Sequence, residues 1–236
     1  MLLKTNKLMK AFGGLKAINK VDFELPANEI RGIIGPNGSG KSTFFNLVSG
    51  VYEPDPGSYI EFDGKDITNE PPHKVGELGL ARTFQLLRLY QDMSVINNVM
   101  SGYHTLVPYN FIDAVTGRKK IWDQEKVIKE EMMELLSFVG LADYAELNAS
   151  ELSGGQRRLL VLARAIAGKP KLLMLDEPAA GLSPVNVDNL MKILMRLKEK
   201  YGLTLIIIEH ILKVVMDTCS KVTVLDHGEK IAEGTP

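Results

Sequence analysis

Three short stretches hold the residues whose types and spacing could do chemistry. The first, "GPNGSGKST" at 35–43, matches G-x-x-x-x-G-K-[ST] in full. Gly35, Gly38 and Gly40 let the backbone bend so that successive N–H groups converge on phosphate oxygens. Lys41 can reach the β- and γ-phosphates of a nucleotide, and the Ser42 hydroxyl can ligate Mg²⁺. Pro36, Asn37, Ser39 and Thr43 complete that loop. The second stretch, "KLLMLDEP" at 171–178, delivers two adjacent carboxylates at the end of an apolar run. A buried strand presents such residues where α/β sheets bind ligands. Asp176 is placed to hold Mg²⁺, directly or through water. Glu177 points differently, where a carboxylate can orient and deprotonate an attacking water. The third stretch, "ELSGGQRRLL" at 151–160, sets Ser153, Gly154 and Gly155 at the head of a helical pattern, followed by Gln156. Glycine costs a helix interior about 1 kcal/mol against alanine. Two at a helix start make sense where something must approach the backbone closely, as a phosphate does. Simple capping by Ser153 is the plainer reading of the same residues.

These residues need elements to position them. The loop at 35–43 follows "RGIIG", a short apolar strand, and precedes "STFFNLVSG", a helix-compatible run. "VDFELP" alternates apolar and polar residues, the period of a half-buried strand, and "SYIEFDG" is a strand closed by a turn. An early antiparallel patch beside a parallel core follows. In the middle third, Ile128, Met132, Leu135, Leu136 and Val139 recur at spacings of three and four, which predicts an amphipathic helix over 124–141 stopping at Gly140. The run after Gln156 predicts another, offering Leu159, Leu160, Ala163 and Ile166 for burial. The last third alternates: strand "KLLMLDE", a helix from Ser183 as N-cap with Pro184 at its first turn, strand "LTLIIIEH", short helix "ILKVVMDTC", then a hairpin turning at Asp226–Gly228. Alternating βα units imply a parallel sheet covered by helices.

Bulk properties narrow the class. The chain has 236 residues, 45% hydrophobic and 24% charged, an ordinary globular composition that suits one large α/β domain or one with a smaller lobe. A net charge of −1 gives no general electrostatic grip on nucleic acid or anionic lipid. The single cysteine, Cys219, permits no internal disulfide and reads as a small core residue of the "ILKVVMDTC" helix. "MLLKTNKLMK" lacks the apolar core of a signal peptide, and no apolar run is long enough to span a bilayer. Any service to a membrane is therefore from its surface.

In this order, "GPNGSGKST", "LSGGQ" and "LLMLDEP" resemble an ABC-type ATPase domain, and the resemblance covers essentially the whole chain. It implies an α/β P-loop NTPase fold with a RecA-like core, an antiparallel β subdomain and an α-helical subdomain. The expected division puts the ATP-binding core and β subdomain in 1–84 and 160–236, and the helical subdomain in 85–159. It implies ATP and Mg²⁺ as ligands, and a second ABC ATPase subunit, identical or paralogous, as ATP-dependent partner. In such domains Ser153, Gly154, Gly155 and Gln156 face the nucleotide held by the partner's loop, so the second phosphate site serves the other subunit. Gln85 in "ARTFQ" matches the glutamine that senses Mg²⁺ and water, and adds to Ser42 and Asp176 as a metal residue. His210 in "IIIEH" matches the histidine that contacts the γ-phosphate, beside Glu177 as catalytic carboxylate. Phe12 in "KAFGG" sits where an aromatic stacks on adenine. Ser183 stands where many members have aspartate in the segment after "DEP".

"DEPAAGLSP", "KAFGGLKAI", "ARTFQ" and the extra segment 103–123 resemble the subgroup serving branched-chain amino acid importers. That implies an ATPase on the cytoplasmic face of the cell membrane, bound to transmembrane permease subunits, with no nucleic acid partner. A lipid or lipopolysaccharide exporter ATPase is the alternative, and a soluble non-transport ATPase a more distant one. The segment "YHTLVPYNFIDAVTGRKKIWDQ" mixes Tyr103, Tyr109, Phe111 and Trp122 with Arg118, Lys119 and Lys120; it is expected to help select the membrane subunit. The chain stops at "AEGTP", where that subgroup commonly continues into a short helix.

Overall fold

The structure, a computed structural model, describes residues 1–83, 88–103 and 119–236, the side chains of 119–125 excepted. Gln85 and the aromatic and basic segment from 104 to 118 therefore lie outside the described residues. The chain forms two compact units, one from Met1–Gln85 with Lys171–Pro236 and the other from Leu86–Pro170.

Alternation builds the first layer. In β2 (Leu15–Leu25), Val21, Phe23 and Leu25 are buried while Asp22 and Glu24 face out. β2 pairs antiparallel with β1 (Leu3–Phe12), which pairs with β4 (Tyr59–Phe62) and, through it, β5 (Lys65–Asp66). Continuous burial builds the second layer. β7 (Leu172–Asp176) and β8 (Thr204–Ile208) are apolar nearly throughout, as strands covered on both faces must be. They lie in a sheet ordered β10-β9-β3-β8-β7-β6, with β3 (Ile30–Ile34), β6 (Leu80–Arg82) and β9 (Lys221–Asp226) parallel to them. β10 (Glu229–Gly234) adds antiparallel at the edge through the expected hairpin.

Helix α1 (Lys41–Val48) follows β3. Its Phe44, Phe45, Leu47 and Val48 join one apolar core with Val21, Phe23, Ile60 and Phe62 of the first sheet and Ile33, Met174 and Ile206 of the second. Phe23 and Phe44 meet edge to face at 5.1 Å. Burying each such ring is worth about 1.5–3 kcal/mol, so the start of α1 is anchored by its own C-terminal half. α2 (Pro72–Glu77), α6 (Pro184–Tyr201) and α7 (Leu212–Thr218) complete this unit. Ser183 caps α6, its hydroxyl accepting from the Asn186 amide at 3.4 Å, and Gly202 ends it in the left-handed region at φ +61°. Cys219 is buried one residue past α7 rather than within it, its thiol against Gly32 of β3.

The second unit is helical. α3 (Val95–Tyr103), α4 (Lys119–Val139) and α5 (Gly154–Ala167) all touch one another. α4 buries the expected Ile128, Met132, Leu135, Leu136 and Val139. Gly140 ends it at φ +76°, with the Leu141 amide returning to the Leu136 carbonyl at 2.8 Å. α5 buries Leu160, Ala163 and Ile166, with Leu159 half-buried, and lies whole in this unit because those residues pack on α3 and α4. The fully buried Asn98 holds the entry to α3: its amide donates to the carbonyls of Tyr90, Met93 and Ser94, and its oxygen accepts from the Tyr90 amide at 3.0 Å.

Candidate nucleotide site

Sterics dictate the loop between β3 and α1. Gly35 has φ +154°, and a Cβ there would lie 2.1 Å from the Leu225 carbonyl oxygen. Gly40 has φ +102°, and a Cβ would lie 2.5 Å from the Ala17 carbonyl oxygen. Only glycine fits either place. Gly40 is also the N-cap residue of α1, and no side chain caps that helix. Its first-turn N–H groups, with the positive end of the helix dipole, are therefore presented to whatever occupies the loop. Ser39 Oγ is buried without a hydrogen-bond partner among the described residues.

Lys41 is 6% exposed, and its ammonium donates to the carbonyls of Gly35 and Pro36 at 2.8 and 2.9 Å. The charge lies inside the loop's own curve. Burial pulls its pKa below the ordinary lysine value, against the raising pull of Glu177 and Asp176.

Asp176 ends β7. Burial pushes its carboxyl pKa up, with Glu177 adding to that, while Arg82 and Lys41 oppose it. Arg82, the last residue of β6, donates to Asp176 Oδ2 at 3.3 Å. Its guanidinium also donates to Asn46 Oδ1 at 2.6 Å and Ser49 Oγ at 3.1 Å, and lies over the Phe45 ring. Glu177 follows at φ +50°, a left-handed conformation rare for a residue with a Cβ and concentrated at functional sites. Its amide donates to the Ile208 carbonyl at 2.9 Å, and its Oε1 lies 3.0 Å from His210 Nε2.

One cavity of about 470 Å³ gathers the loop, Glu177 and His210, while Asp176 and Arg82 do not line it. Phe12, Asn37, Gly38, Gly40, Lys41, Ser42, Thr43, Glu177 and His210 line it, with Leu15, Lys16, Ala17 and His227. Phe12, which by pattern alone reads as core, is 46% exposed at the end of β1 and packs edge-on to Tyr52 at 5.5 Å. Of the four unforeseen lining residues, Leu15, Lys16 and Ala17 follow Phe12 across the β1–β2 hairpin, and His227 arrives by a tertiary contact. Gly228 donates to the Ser39 carbonyl at 3.1 Å and accepts from the Asn19 amide at 2.8 Å, which clamps the β9–β10 turn between the loop and β2. Nothing local in the sequence announces that meeting.

A nucleoside triphosphate fits this cavity: an aromatic face at one end, convergent amides and a lysine at the other. Among the described residues no three or more His, Cys, Asp or Glu form a metal cage. Ser42 and Asp176 suit Mg²⁺ all the same, because that ion takes one or two protein ligands and fills its shell with water and phosphate oxygens.

In the helical unit, Ser153 is the N-cap of α5. Its Oγ accepts from the Gln156 amide at 3.4 Å, while Gln156 Oε1 accepts from the Ser153 amide at 2.9 Å. The plainer capping reading thus holds for both side chains. Ser153 and Gly154 are exposed, and beyond the chain neighbours and the helix's own backbone no atom of the described residues lies within 4 Å of where a Gly154 Cβ would stand. The helix start is open to a ligand.

Comparison with known proteins adds to this geometry. The family model described as ABC transporter matches residues 18–180. The chain is 40% identical over 237 residues to a probable branched-chain amino acid transport ATP-binding protein, LivG, of Archaeoglobus fulgidus, covering 99% of this chain and 89% of the relative. It is 36% identical to the high-affinity branched-chain amino acid transport ATP-binding protein BraF of Pseudomonas aeruginosa, covering 100% and 92%. Among solved structures, the ADP conformation of an ATP-binding cassette of an ABC transporter superposes with a TM-score of 0.85 at 34% identity, covering 100% of this chain and 91% of that one.

Proposed function

The chain belongs to the ABC transporter family, and from that premise we propose that it is the ATP-hydrolysing subunit of an importer for branched-chain amino acids. One observation carries the chemistry: the loop at 35–43, Phe12, Glu177 and His210 open onto a single cavity. The relatives that match over nearly the whole chain support the substrate class over a lipid or lipopolysaccharide exporter.

Phe12 stacks on the adenine, and the amides of residues 35–43 cradle the phosphates. Lys41 leaves the Gly35 and Pro36 carbonyls for the β- and γ-phosphates. Ser42 and Asp176, with Gln85, would hold Mg²⁺, which when bound screens the charge between the phosphates. Glu177 takes the proton of the attacking water, and His210, 3.0 Å away, steadies that carboxylate and contacts the γ-phosphate. Two such subunits close head to tail around two ATP molecules, Ser153 and the amides of Gly154 and Gly155 of each meeting the γ-phosphate bound by the other. Hydrolysis reopens the pair, and the helical units pass that motion to permease subunits at the cytoplasmic face of the membrane. No helix among the described residues is long and apolar enough to cross a membrane itself.

The test is Glu177→Gln. Without the general base, turnover falls about 100-fold or more, and an ATP-bound dimer accumulates on size-exclusion chromatography with ATP and Mg²⁺. A variant that stays monomeric under saturating ATP and turns over normally refutes the assignment.

A further inference from the structure

We propose that Glu209 is a positioning residue for hydrolysis: its carboxylate ties the loop that carries Glu177 to the loop that carries His210. The proposal rests on reading the cavity as an ATPase centre.

Glu209 follows β8 directly and is 3% exposed, yet it does not line the cavity. Its Oε1 accepts from the Ala179 amide at 2.7 Å. Its Oε2 accepts from the His210 amide at 3.1 Å and the Ile211 amide at 3.4 Å. No Lys, Arg or His among the described residues forms an ion pair with it. A buried carboxylate without a cation is costly, and here backbone amides alone offset that cost. A leucine would fill such a position more cheaply if packing were the only demand.

What the carboxylate joins explains its presence. Ala179 lies two residues beyond Glu177 in the loop after β7, and His210 is the second residue of the loop after β8. The strands below are already registered, with Asp176 opposite Ile208. Above the last ladder bond, from the Glu177 amide to the Ile208 carbonyl, nothing in the strand pattern fixes one loop against the other. Glu209 supplies that second tie. The 3.0 Å pairing of Glu177 Oε1 with His210 Nε2 and the left-handed backbone of Glu177 both depend on the loops staying in register. Misplacing a reacting group by about 1 Å can cost 100-fold in rate, so a rigid bridge that touches no substrate still acts on turnover.

Glu209→Gln and Glu209→Asp separate this role from packing. The glutamine keeps the volume but turns one oxygen into a donor, so either Ala179 or the His210–Ile211 pair faces an N–H. The aspartate keeps the charge but is one methylene short of spanning both loops. Each variant should bind ATP within about twofold of wild type, because Phe12 and the phosphate loop are untouched, while kcat per folded molecule falls about tenfold or more. In the wild type, the Ala179 and His210 amides should show matching hydrogen-exchange protection and should shift together when ATP binds. That measurement decides the matter if the variants do not fold. Unchanged kcat in both variants, kcat and affinity falling together, or unrelated exchange of the two amides would overturn the proposal. Glu177→Gln in the same assay keeps the two readings apart: normal turnover there refutes the ATPase centre, whereas a dead Glu177→Gln beside a fully active Glu209→Gln refutes only the bridge.

Discussion

Three glycines in one loop have two different reasons to be glycine, and alanine substitutions should separate them. At Gly35 the added Cβ meets the Leu225 carbonyl oxygen at 2.1 Å and Ser39 Oγ at 2.6 Å. At Gly40 it meets the Ala17 carbonyl oxygen at 2.5 Å and Ile18 Cδ1 at 2.9 Å. In both cases the obstacle includes backbone of another strand, which cannot turn aside like a flexible side chain. Each substitution carries about 1–2 kcal/mol for the left-handed backbone and about 1–3 kcal/mol for overpacking, together about 2–5 kcal/mol. A whole domain is stable by only about 5–15 kcal/mol, so either change removes a large share. Gly38 is different. Its φ is +81°, but beyond its chain neighbours no atom of the described residues lies within 4 Å of the added methyl, which stands at the open cavity. Gly38→Ala therefore costs about 1–2 kcal/mol in stability. The methyl does occupy space that phosphate oxygens need, and affinity for ATP should drop about tenfold, equivalent to about 1.4 kcal/mol.

Urea unfolding without nucleotide, paired with titration of a fluorescent ATP analogue, reads both quantities. Gly35→Ala and Gly40→Ala should shift the unfolding midpoint strongly. Gly38→Ala should shift it less than either and still lose affinity. Equal destabilisation by all three variants, or full affinity in Gly38→Ala, would refute this reasoning from Cβ contacts.

Two further outcomes follow from features away from the loop. In the helical unit, a Cβ on Gly102 would lie 2.1 Å from the Arg164 carbonyl oxygen, so Gly102→Ala should force α3 off α5 at a cost of about 1–3 kcal/mol. Hydrogen exchange should quicken in α3 and α5 with nucleotide affinity at the loop unchanged. Burial pushes the Cys219 thiol from an ordinary 9.0 up to about 12. Its folded pKa is raised, so its contribution to stability is complete below pH 9.0 and lost as pH climbs toward about 12. Stability measured over that interval should fall less steeply in Cys219→Ala, and a thiol reagent at pH 8 should label the wild type only as fast as it unfolds.

Legibility followed the range of the physics. The loop at 35–43 could be read because its demands are local: positive φ, close approach, a lysine and a helix start within nine consecutive positions. The alternation in β2 and the three-and-four spacing in α4 are local too, and each named its buried residues. The carboxylates of Asp176 and Glu177 were legible because a buried strand fixes where its end lies. Arg82, Glu209 and His227 were not. Arg82 matters through Asp176, 94 positions later, and Glu209 through Ala179, 30 positions earlier. His227 lines the cavity because Gly228 is clamped against β2. Charged residues at strand ends and turns are common and carry no periodic signature, so their partners become visible only once the sheet order is known. Phe12 shows the converse: by type alone it reads as core, only the family resemblance set it at a nucleotide, and its place at the end of β1 leaves it at the cavity wall.

The charged groups of the site are each held by an internal stand-in. Lys41 donates to loop carbonyls, Asp176 accepts from Arg82, and Glu177 meets His210. Burial disfavours charge on both Lys41 and Asp176, lowering the first pKa and raising the second. A triphosphate accompanied by a cation reverses both pressures at once, since it gives the ammonium an anion and the carboxylate a positive neighbour. The stand-ins are not equally easy to displace. Lys41 gives up neutral carbonyl acceptors, and the exposed His210 can swing from its carboxylate. Arg82 is held more firmly, because Asn46, Ser49 and the Phe45 ring contact it from the α1 side. Asp176 thus keeps beside it a guanidinium held from the α1 side, which opposes the upward push that burial gives its carboxyl pKa.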